Sequence, residues 1–388
     1  MPDFDVVGTS GTTSGTETRG RWNTASGIAP DKKAFDTLPD KLTDFTPKQK
    51  PFTEGFSESG TKSKKSTGDK DNGDPAYYDI SLLQSPVWTK EVGIYFFLGG
   101  LSSSAFSIAR LSDRFGRGKL RPVTQAGTLI AALAALPCAP LLIWDLGDRS
   151  RFHHMLRIWK PKSPMNLGSW TLSVYTLMGG IAALREFLRF LRKDAPLAGG
   201  AKVVDETAGV VADVAGIPLG LLLAGYTGIL LSTTSTPIWS RNTWIGALFS
   251  ASAVAAGSGA VRLALEVTGQ EGPATEALGK VETLAHVTEA IAHAGFLSAA
   301  GKLAEPVTKG KFKNEYLGGA IGLGIIVPEL LNHLPVPKKA KRGLSIAAGI
   351  ASLVGGYMLR TVFIAAGKPS ADDPDLARLA TGEKGAKS

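Results

Sequence analysis

The sequence predicts an all-α membrane protein: eight transmembrane helices, packed as two four-helix bundles, follow a disordered N-terminal tail. Apolar runs of about 20 residues recur from residue 88 to residue 366, and that length crosses a hydrocarbon layer ~30 Å thick. Small residues recur inside the runs, as they do where membrane helices pack closely. The first 87 residues, by contrast, are rich in Thr, Ser, Gly, Lys and Asp and have no apolar pattern.

The first four predicted helices are separated by charged or Pro-containing stretches. Helix 88–111 contains the small-residue run FFLGGLSSSA, and helix 123–144 is apolar up to an Asp-Leu-Gly turn. Helix 166–188 restarts after a Pro-Lys-Ser-Pro stretch, and helix 209–231 carries Pro218 as a single interruption. A soluble bundle would show polar faces at a 3.6-residue period, and most of the eight segments do not.

The last four predicted helices include the two most unusual ones. Helix 244–265 contains SASAVAAGSGA, whereas helix 281–303 is the most polar of the eight. Pro328 interrupts helix 315–334, and helix 344–365 carries Arg360 inside an apolar run. An intramembrane charge is costly and usually paired, so we expect Arg360 to have a partner.

Three domains follow from these boundaries. They are a hydrophilic, largely disordered tail (1–87), an eight-helix transmembrane domain (88–366) and a short polar C-terminal tail (367–388). The net charge of +9 comes from Lys and Arg clustered in short loops, which predicts contact with membrane lipid and not with nucleic acid. These basic residues are divided almost equally between the two faces and do not decide the orientation of the protein.

One loop carries more charge and aromatic surface than a turn requires. It reads WDLGDRSRFHHMLRIWKPKSPM over residues 144–165. Asp145-Leu146-Gly147 precede Arg151-Phe152, and after a basic, aromatic stretch Ser163-Pro164-Met165 lead into the next helix. This arrangement resembles the NrfD family, the membrane subunits of polysulfide reductase and related quinone-linked oxidoreductases. The resemblance covers about residues 85–370. Where the family commonly has a Pro between Gly and Arg-Phe, this sequence has Asp148-Arg149-Ser150.

The resemblance implies a multi-pass subunit of the bacterial inner membrane that binds menaquinone or ubiquinone. It implies electron exchange with a separate ferredoxin-like iron-sulfur subunit, which connects to a catalytic subunit, often with a molybdopterin cofactor. The membrane subunit of this family typically has no haem. Cys138 is the single cysteine of the sequence, and an iron-sulfur cluster usually needs four, so we also expect no cluster of its own and no metal site.

Six residues are predicted to bind the quinone at the membrane face that both termini share. Helical spacing puts two of them on one face of the first helix, and the others lie in the charged loop or near the end of the fourth helix. They are Glu91, Tyr95, Asp145, Arg151, Tyr226 and Thr227. Alternative roles stay open: Glu91 as an interfacial acid, Tyr226 as an interface aromatic, Asp145 as a turn cap and Arg151 as a lipid contact.

The sixth predicted helix carries a polar stripe at spacings of four, three and four: Glu282, His286, Glu289 and His293. Since polar groups facing lipid are expensive, we expect the stripe to face the bundle interior or a wet cavity. Together with Asp213 of the fourth helix, His286 and Glu289 are predicted to carry protons. Hydrogen bonds that only fix helix packing, or an amphipathic helix lying in the membrane interface, remain alternatives.

The charged loop is also predicted to dock the iron-sulfur partner through Arg149, His153, His154 and Arg157. The paired histidines have an alternative interpretation as solvated side chains. Two other function classes stay open for the protein as a whole. A haem b cytochrome subunit would need imidazoles at matching depth, and a transporter or channel would be expected to show inverted repeats or paired broken helices.

Overall fold

The computed structural model describes residues 83–116, 118–193, 195–270 and 272–381, except for the side chains of Lys338 and Lys339. The predicted disorder of the N-terminal tail falls almost wholly outside these ranges. Within them every regular element is helical, as the sequence predicts. The fold class is therefore confirmed as all-helical, and the helix boundaries differ from the predicted ones in several places.

The first two predicted helices give three elements, α1 (Lys90–Phe115), α2 (Arg121–Ala135) and α3 (Cys138–Asp145). The second was predicted as one continuous helix, and the break at Pro137 corrects this. Proline has no backbone N–H to donate, so it interrupts the hydrogen-bond ladder. Taken together, α2 and α3 still cover the length of one membrane crossing.

A short α4 (His154–Arg157) lies in the charged loop and is followed by α5 (Pro164–Leu191) and α6 (Gly199–Ser232). Helix α6 starts ten residues before the predicted position of 209, and Pro218 lies inside it without ending it. The charges at its start looked like a loop in the sequence. In the structure Asp205 pairs with Arg185 of α5 at 3.0 Å, which lets a charged turn continue the helix.

The next two elements, α7 (Trp244–Val267) and α8 (Pro273–Ala300), form a tightly packed pair. Helix α8 begins about two turns earlier than predicted, with Pro273 at its first position. Proline is favoured there because the missing N–H would have no partner in the first turn. A short 3₁₀ turn and α9 (Glu305–Thr308) follow α8.

The seventh predicted helix is a π-helical segment, Glu315–Ile326, continued by α10 (Val327–His333). A π-helix is rare, and π-helical turns are frequent at functional sites. Its Gly324 packs backbone to backbone against Gly355 of α11 (Lys338–Asp372), so closely that a Cβ on Gly355 would collide. Helix α11 extends beyond the predicted end at 365, and α12 (Pro374–Thr381) follows within the predicted polar tail.

Helix α7 lies at the centre of the packing, against α1, α2, α6, α8 and α11. Around α1, the neighbouring pairs are α1–α2, α2–α5, α5–α6 and α6–α1. On the other side, α8 packs on α7, while the π-helical segment and α10 pack on α11. The outer faces carry exposed leucine, valine and phenylalanine side chains, the surface expected where lipid and not water surrounds the helices.

Six helices in the described part of the protein are long and apolar enough to cross a membrane. They are α1, the α2–α3 unit (Arg121–Asp145), α5, α6, α7 and the Ala340–Asp372 part of α11. Helix α8 and the segment from Glu315 to His333 are not among the six. The membrane location is thus supported, although the six differ from the predicted eight.

Candidate functional site

The charged loop, called the basic loop below (residues 144–165), is held on the start of α5 by one side chain. Asn166 accepts a hydrogen bond from the Lys160 N–H at 2.7 Å and donates two, to the carbonyls of Met155 at 2.8 Å and Ile158 at 2.9 Å. These three bonds satisfy one backbone group inside α4 and two in the residues that follow it. Asn166 was not singled out in the sequence.

The other end of the basic loop is tied to α1. The carboxylate of Asp145 accepts hydrogen bonds from the hydroxyl of Thr89 at 2.7 Å and from its backbone N–H at 3.3 Å. Glu91 follows Thr89 by two residues, in the first turn of α1. The start of α1 therefore places Glu91 and Asp145, both predicted at the quinone site, on either side of Thr89, which sequence reasoning missed.

The outward surface of the basic loop combines cations with exposed apolar side chains. Arg149 lies over the ring of Trp144, 4.8 Å from its centroid, and the rings of His153 and His154 are 4.4 Å apart. Arg157 is exposed. The exposed apolar side chains of the loop are Trp144, Phe152, Leu156, Ile158, Trp159 and Met165. Such a mixture of aromatic, apolar and arginine side chains is typical of protein interfaces.

Beneath the loop, two tyrosines lie among the helices. Tyr226 is 4% exposed, and its hydroxyl donates a short hydrogen bond to the carbonyl of Pro164, where the basic loop ends. Its ring fills the space beside Gly168, where any Cβ would collide with it. Tyr95 is also buried, on α1, which packs against α6. The two packed helices thus each place one buried tyrosine near the basic loop.

The remaining two residues of the predicted quinone site, Thr227 and Arg151, lie in different places. Thr227 is buried next to Tyr226 in α6. Arg151 does not join the tyrosines, because its guanidinium pairs with Asp148 at 3.0 Å and is 70% exposed. The geometry places Arg151 with the outward surface of the basic loop.

The polar stripe of α8 faces the protein interior, as predicted, since Glu282, His286, Glu289 and His293 are all buried. The opposite face of α8 exposes Leu284, Val287 and Ile291. This arrangement reverses the amphipathic pattern of a helix on a soluble protein. It also argues against α8 lying flat in the membrane interface, where its polar face would meet water.

His286 links α8 to two other helices. Its Nδ1 lies 2.7 Å from the carboxylate of Glu329 on α10, and its Nε2 lies 3.0 Å from the hydroxyl of Ser352 on α11. Glu329 in turn contacts His333, 67% exposed at the end of α10, at 3.5 Å. Hydrogen-bonding groups therefore lead from an exposed histidine to a fully buried one.

Farther along α8, a second group of contacts continues the stripe. Glu289 lies near Ser252 of α7, which accepts a hydrogen bond from Arg360 of α11 at 2.9 Å. The Glu289 carboxylate lies 4.0 Å from His293, whose other ring nitrogen lies 2.9 Å from the Tyr316 hydroxyl. The expected partners of Arg360 are thus neutral oxygens and the ring of Phe249, with Glu289 nearby.

Glu282, the first residue of the stripe, is paired with a cation that sequence reasoning missed. Arg262 of α7 lies 3.0 Å from its carboxylate and donates a further bond to Asn332 at 3.0 Å. We call the buried groups from Glu282 to His293, with their partners on α7, α10 and α11, the polar track. Arg262 and Glu329 were hidden from sequence reasoning because neither belongs to a polar pattern that repeats along its helix.

Asp213, predicted with the proton-carrying residues, lies in a different set of contacts. Its carboxylate pairs with Arg110 of α1 at 2.6 Å. Arg110 also pairs with Asp113, which Arg189 of α5 contacts at 3.2 Å. The structure therefore groups Asp213 with the ion pairs among α1, α5 and α6.

These features define an all-helical membrane subunit with buried ionisable groups and an exposed basic loop. The profile described as "Polysulphide reductase, NrfD" matches residues 80–369, and the protein belongs to the NrfD family. It is 28% identical over 310 residues to the C subunit of polysulfide reductase from Wolinella succinogenes, an alignment that covers 74% of this protein and 96% of that one. It is 25% identical over 307 residues to the NrfD homologue of Haemophilus influenzae, covering 73% and 94%. Family membership makes it an integral membrane protein and a membrane subunit of a redox complex.

Proposed function

We propose that the protein is the membrane anchor and quinone-binding subunit of a multisubunit oxidoreductase. It exchanges electrons between membrane menaquinone or ubiquinone and a separate ferredoxin-like iron-sulfur subunit. A molybdopterin catalytic subunit completes the complex in this proposal. The observation that carries it is the position of two buried tyrosines, Tyr95 and Tyr226, on the packed helices α1 and α6 beneath an exposed, cationic and aromatic loop.

The quinone ring would lie beside Tyr95, Tyr226 and Thr227, with Glu91 and Asp145 at the membrane surface. Oxidation of one quinol to quinone releases two electrons and two protons, so the site needs hydrogen-bond partners, an electron acceptor and proton acceptors. Tyrosine and threonine hydroxyls both donate and accept hydrogen bonds. Carboxylates at the surface can receive the protons.

The electron acceptor would bind the basic loop. Four residues, Arg149, His153, His154 and Arg157, supply its polar contacts, and Arg151 belongs with them by position. The exposed Trp159 and Phe152 supply the apolar surface that makes such a patch an interface. A partner with acidic residues around its cluster would be attracted to this face.

The polar track would carry protons between the quinone site and the opposite face. From Glu282 to His293 it covers about 16 Å along α8, at 1.5 Å per residue. His333 and Glu329 would give access from outside, His286 and Glu289 would carry the proton inward, and His293 and Tyr316 end on the side of the basic loop. Asp213 supports a separate role, because it pairs with Arg110.

The eight-crossing, two-bundle arrangement is also a proposal. Its support is the outward apolar face of α8 and the closed sets of neighbours, with α1, α2, α5 and α6 in one set. The second set contains α7, α8, α11 and the segment from Glu315 to His333. In this arrangement the basic loop and the end of α8 share one membrane face.

The haem b alternative has weaker support than quinone binding. His286 and His293, the buried histidines of the described residues, lie on the same helix. Both ring nitrogens of His286 already face protein hydrogen-bond partners. A haem held by two histidines needs both imidazoles free for the iron.

Photolabelling of the assembled complex tests the quinone site. A photoreactive quinone analogue should label peptides of α1, α3 and α6 that contain Tyr95, Cys138 and Tyr226, and natural quinone should compete for labelling. Tyr95→Phe should weaken competition, whereas Tyr357→Phe, an exposed tyrosine of α11, serves as the matched control. Competed labelling confined to other helices would overturn this site.

A further inference from the structure

A charged cavity opens at the membrane face opposite the basic loop. Its volume is about 520 Å³, and it lies between the end of α5 and the start of α6. Helix α5 begins at the basic loop and spans about 40 Å before it reaches this cavity, at 1.5 Å per residue. The cavity is lined by five basic side chains, Arg121, Arg185, Arg189, Arg192 and Lys202.

Ion pairs hold most of these cations in place. Arg185 donates two hydrogen bonds to Asp205, at 3.0 and 3.1 Å. Arg121 pairs with Glu186 at 2.6 Å, and Arg189 contacts both Glu186 and Asp205. The guanidinium groups are thus fixed before any ligand arrives, which reduces the entropy lost on binding.

Some donors are left over. The Nη1 atoms of Arg185 and Arg192 are buried and have no hydrogen-bond partner among the described residues. The Arg185 side chain is 9% exposed and lies against Gly209 of α6, where a Cβ would collide with it. Buried N–H groups without acceptors are rare and costly, so their presence around a cavity points to an absent acceptor.

The chemistry of the donors selects an anion with several oxygens. Planar guanidinium groups match the geometry of phosphate and carboxylate oxygens, and arginine is the residue that most often binds phosphate in this way. Five cations against the two carboxylates in the lining, Asp205 and Glu206, leave a positive excess. A phosphate group fits this lining.

The side chains around the cavity indicate which kind of molecule bears the phosphate group. The adjoining turns of α5 and α6 expose large apolar side chains, namely Phe187, Phe190, Leu191, Val203 and Val204. They lie at the ends of two helices that are apolar enough to cross the membrane. A soluble phosphate would make no contact with these apolar side chains, whereas the acyl chains of a lipid would cover them.

We propose that this cavity binds the phosphate headgroup of an anionic phospholipid, whose acyl chains lie along α5 and α6. The site is separate from the proposed quinone site, at the other end of the same helices. The lipid would connect α5 to α6, because the arginines that line the cavity also form the ion pairs between the helices. It would therefore stabilise this half of the protein.

Lipid-dependent thermal unfolding of the purified protein in detergent tests the site. Phosphatidylglycerol or cardiolipin should raise the unfolding midpoint, whereas phosphatidylcholine and inorganic phosphate should not. The double variant Arg192→Gln/Lys202→Gln should bind the anionic lipid about ten-fold more weakly, since each basic residue near a membrane surface contributes to such binding. The variant spares the ion pairs of Arg121, Arg185 and Arg189.

The matched control is Lys302→Gln/Lys309→Gln, which removes two exposed lysines from the opposite face. It should keep the response of the unchanged protein. The proposal is overturned if both double variants respond alike, or if phosphatidylcholine stabilises the protein as much as the anionic lipids. Equal stabilisation by inorganic phosphate would show an anion site that does not recognise lipid, and it would also overturn the proposal.

Discussion

The Nδ1 atom of His286 lies 2.7 Å from the carboxylate of Glu329, which joins a side chain with no exposed surface to one that reaches the end of α10. Thr283 donates a second hydrogen bond to the same carboxylate at 3.2 Å. Glu329 is thus held in one position by α8 while His333 contacts it from outside. In the proposed proton route, this carboxylate connects the exposed His333 to the buried His286.

Replacement of Glu329 by Gln tests that route. The amide keeps the shape and can still bond to His286, but it does not transfer protons as a carboxylate does. We expect quinol oxidation by the assembled complex to slow on the order of 100-fold, the lower range for loss of a positioned proton-transfer group. Glu305→Gln, at a partly exposed carboxylate in the first turn of α9, is the control and should change little. Normal turnover in Glu329→Gln would remove Glu329 from the route.

The Arg262–Glu282 ion pair leads to a prediction about the stability of the protein. Arg262→Met should destabilise the protein by about 3–5 kcal/mol, because it leaves the fully buried Glu282 carboxylate without its cation. Arg262→Met/Glu282→Met should recover part of the loss, since it removes the Glu282 charge, whereas the buried Glu266, 3.8 Å from Arg262, still loses this cation. The free energy of unfolding in detergent measures both. Additive losses in the double variant would show that the two side chains act independently.

Tyr226 and Gly168 predict a steric effect at the base of the basic loop. Tyr226→Phe removes the bond to the Pro164 carbonyl and should lower stability by about 1 kcal/mol. Gly168→Ala places a methyl group against the Tyr226 ring and should cost about 1–3 kcal/mol, as overpacking does. Gly179→Ala, at an open position of α5, should be neutral or stabilising by comparison. Equal thermal unfolding midpoints for Gly168→Ala and Gly179→Ala would contradict the close packing of Gly168 against Tyr226.

Asn166 predicts an effect on assembly. Asn166→Ala removes three hydrogen bonds that hold the basic loop, so the loop should become sensitive to protease and the iron-sulfur partner should dissociate more readily. Ser169→Ala, which loses only a bond to the Met165 carbonyl within α5, is the control. Co-purification of the partner measures the outcome. Unchanged partner yield and protease resistance would show that Asn166 does not order the docking surface.

The helical class and membrane location were predictable because apolar runs of membrane length are a strong, local signal. Helix ends were less predictable, since a charge such as Asp205 resembles a loop residue until its partner Arg185 is known. The break at Pro137 and the π-helical segment were missed because both occur inside continuous apolar runs. Such runs predict burial in lipid and carry little information on the hydrogen-bond pattern.

The candidate site shows the same division. The stripe from Glu282 to His293 was visible because its members repeat on one helix. Its partners Arg262 and Glu329 come from other helices, and contacts between helices leave no periodic signal in the sequence. Asp213 was grouped with the stripe as an acid of another predicted helix, whereas the structure pairs it with Arg110. The sequence does not determine which neighbour a helix face meets.

The reversed polarity of α8 has a consequence for how the protein enters the membrane during synthesis. A helix bearing Glu282 and Glu289 would partition poorly from the translocon into lipid, because each charged residue at the helix centre costs about 2.5–3.5 kcal/mol on insertion scales. Helix α7, made immediately before, brings Arg262 to Glu282 and Ser252 to Glu289. In the proposed eight-crossing arrangement, α7 would therefore wait at the translocon until α8 emerges, and the two would leave as one hairpin.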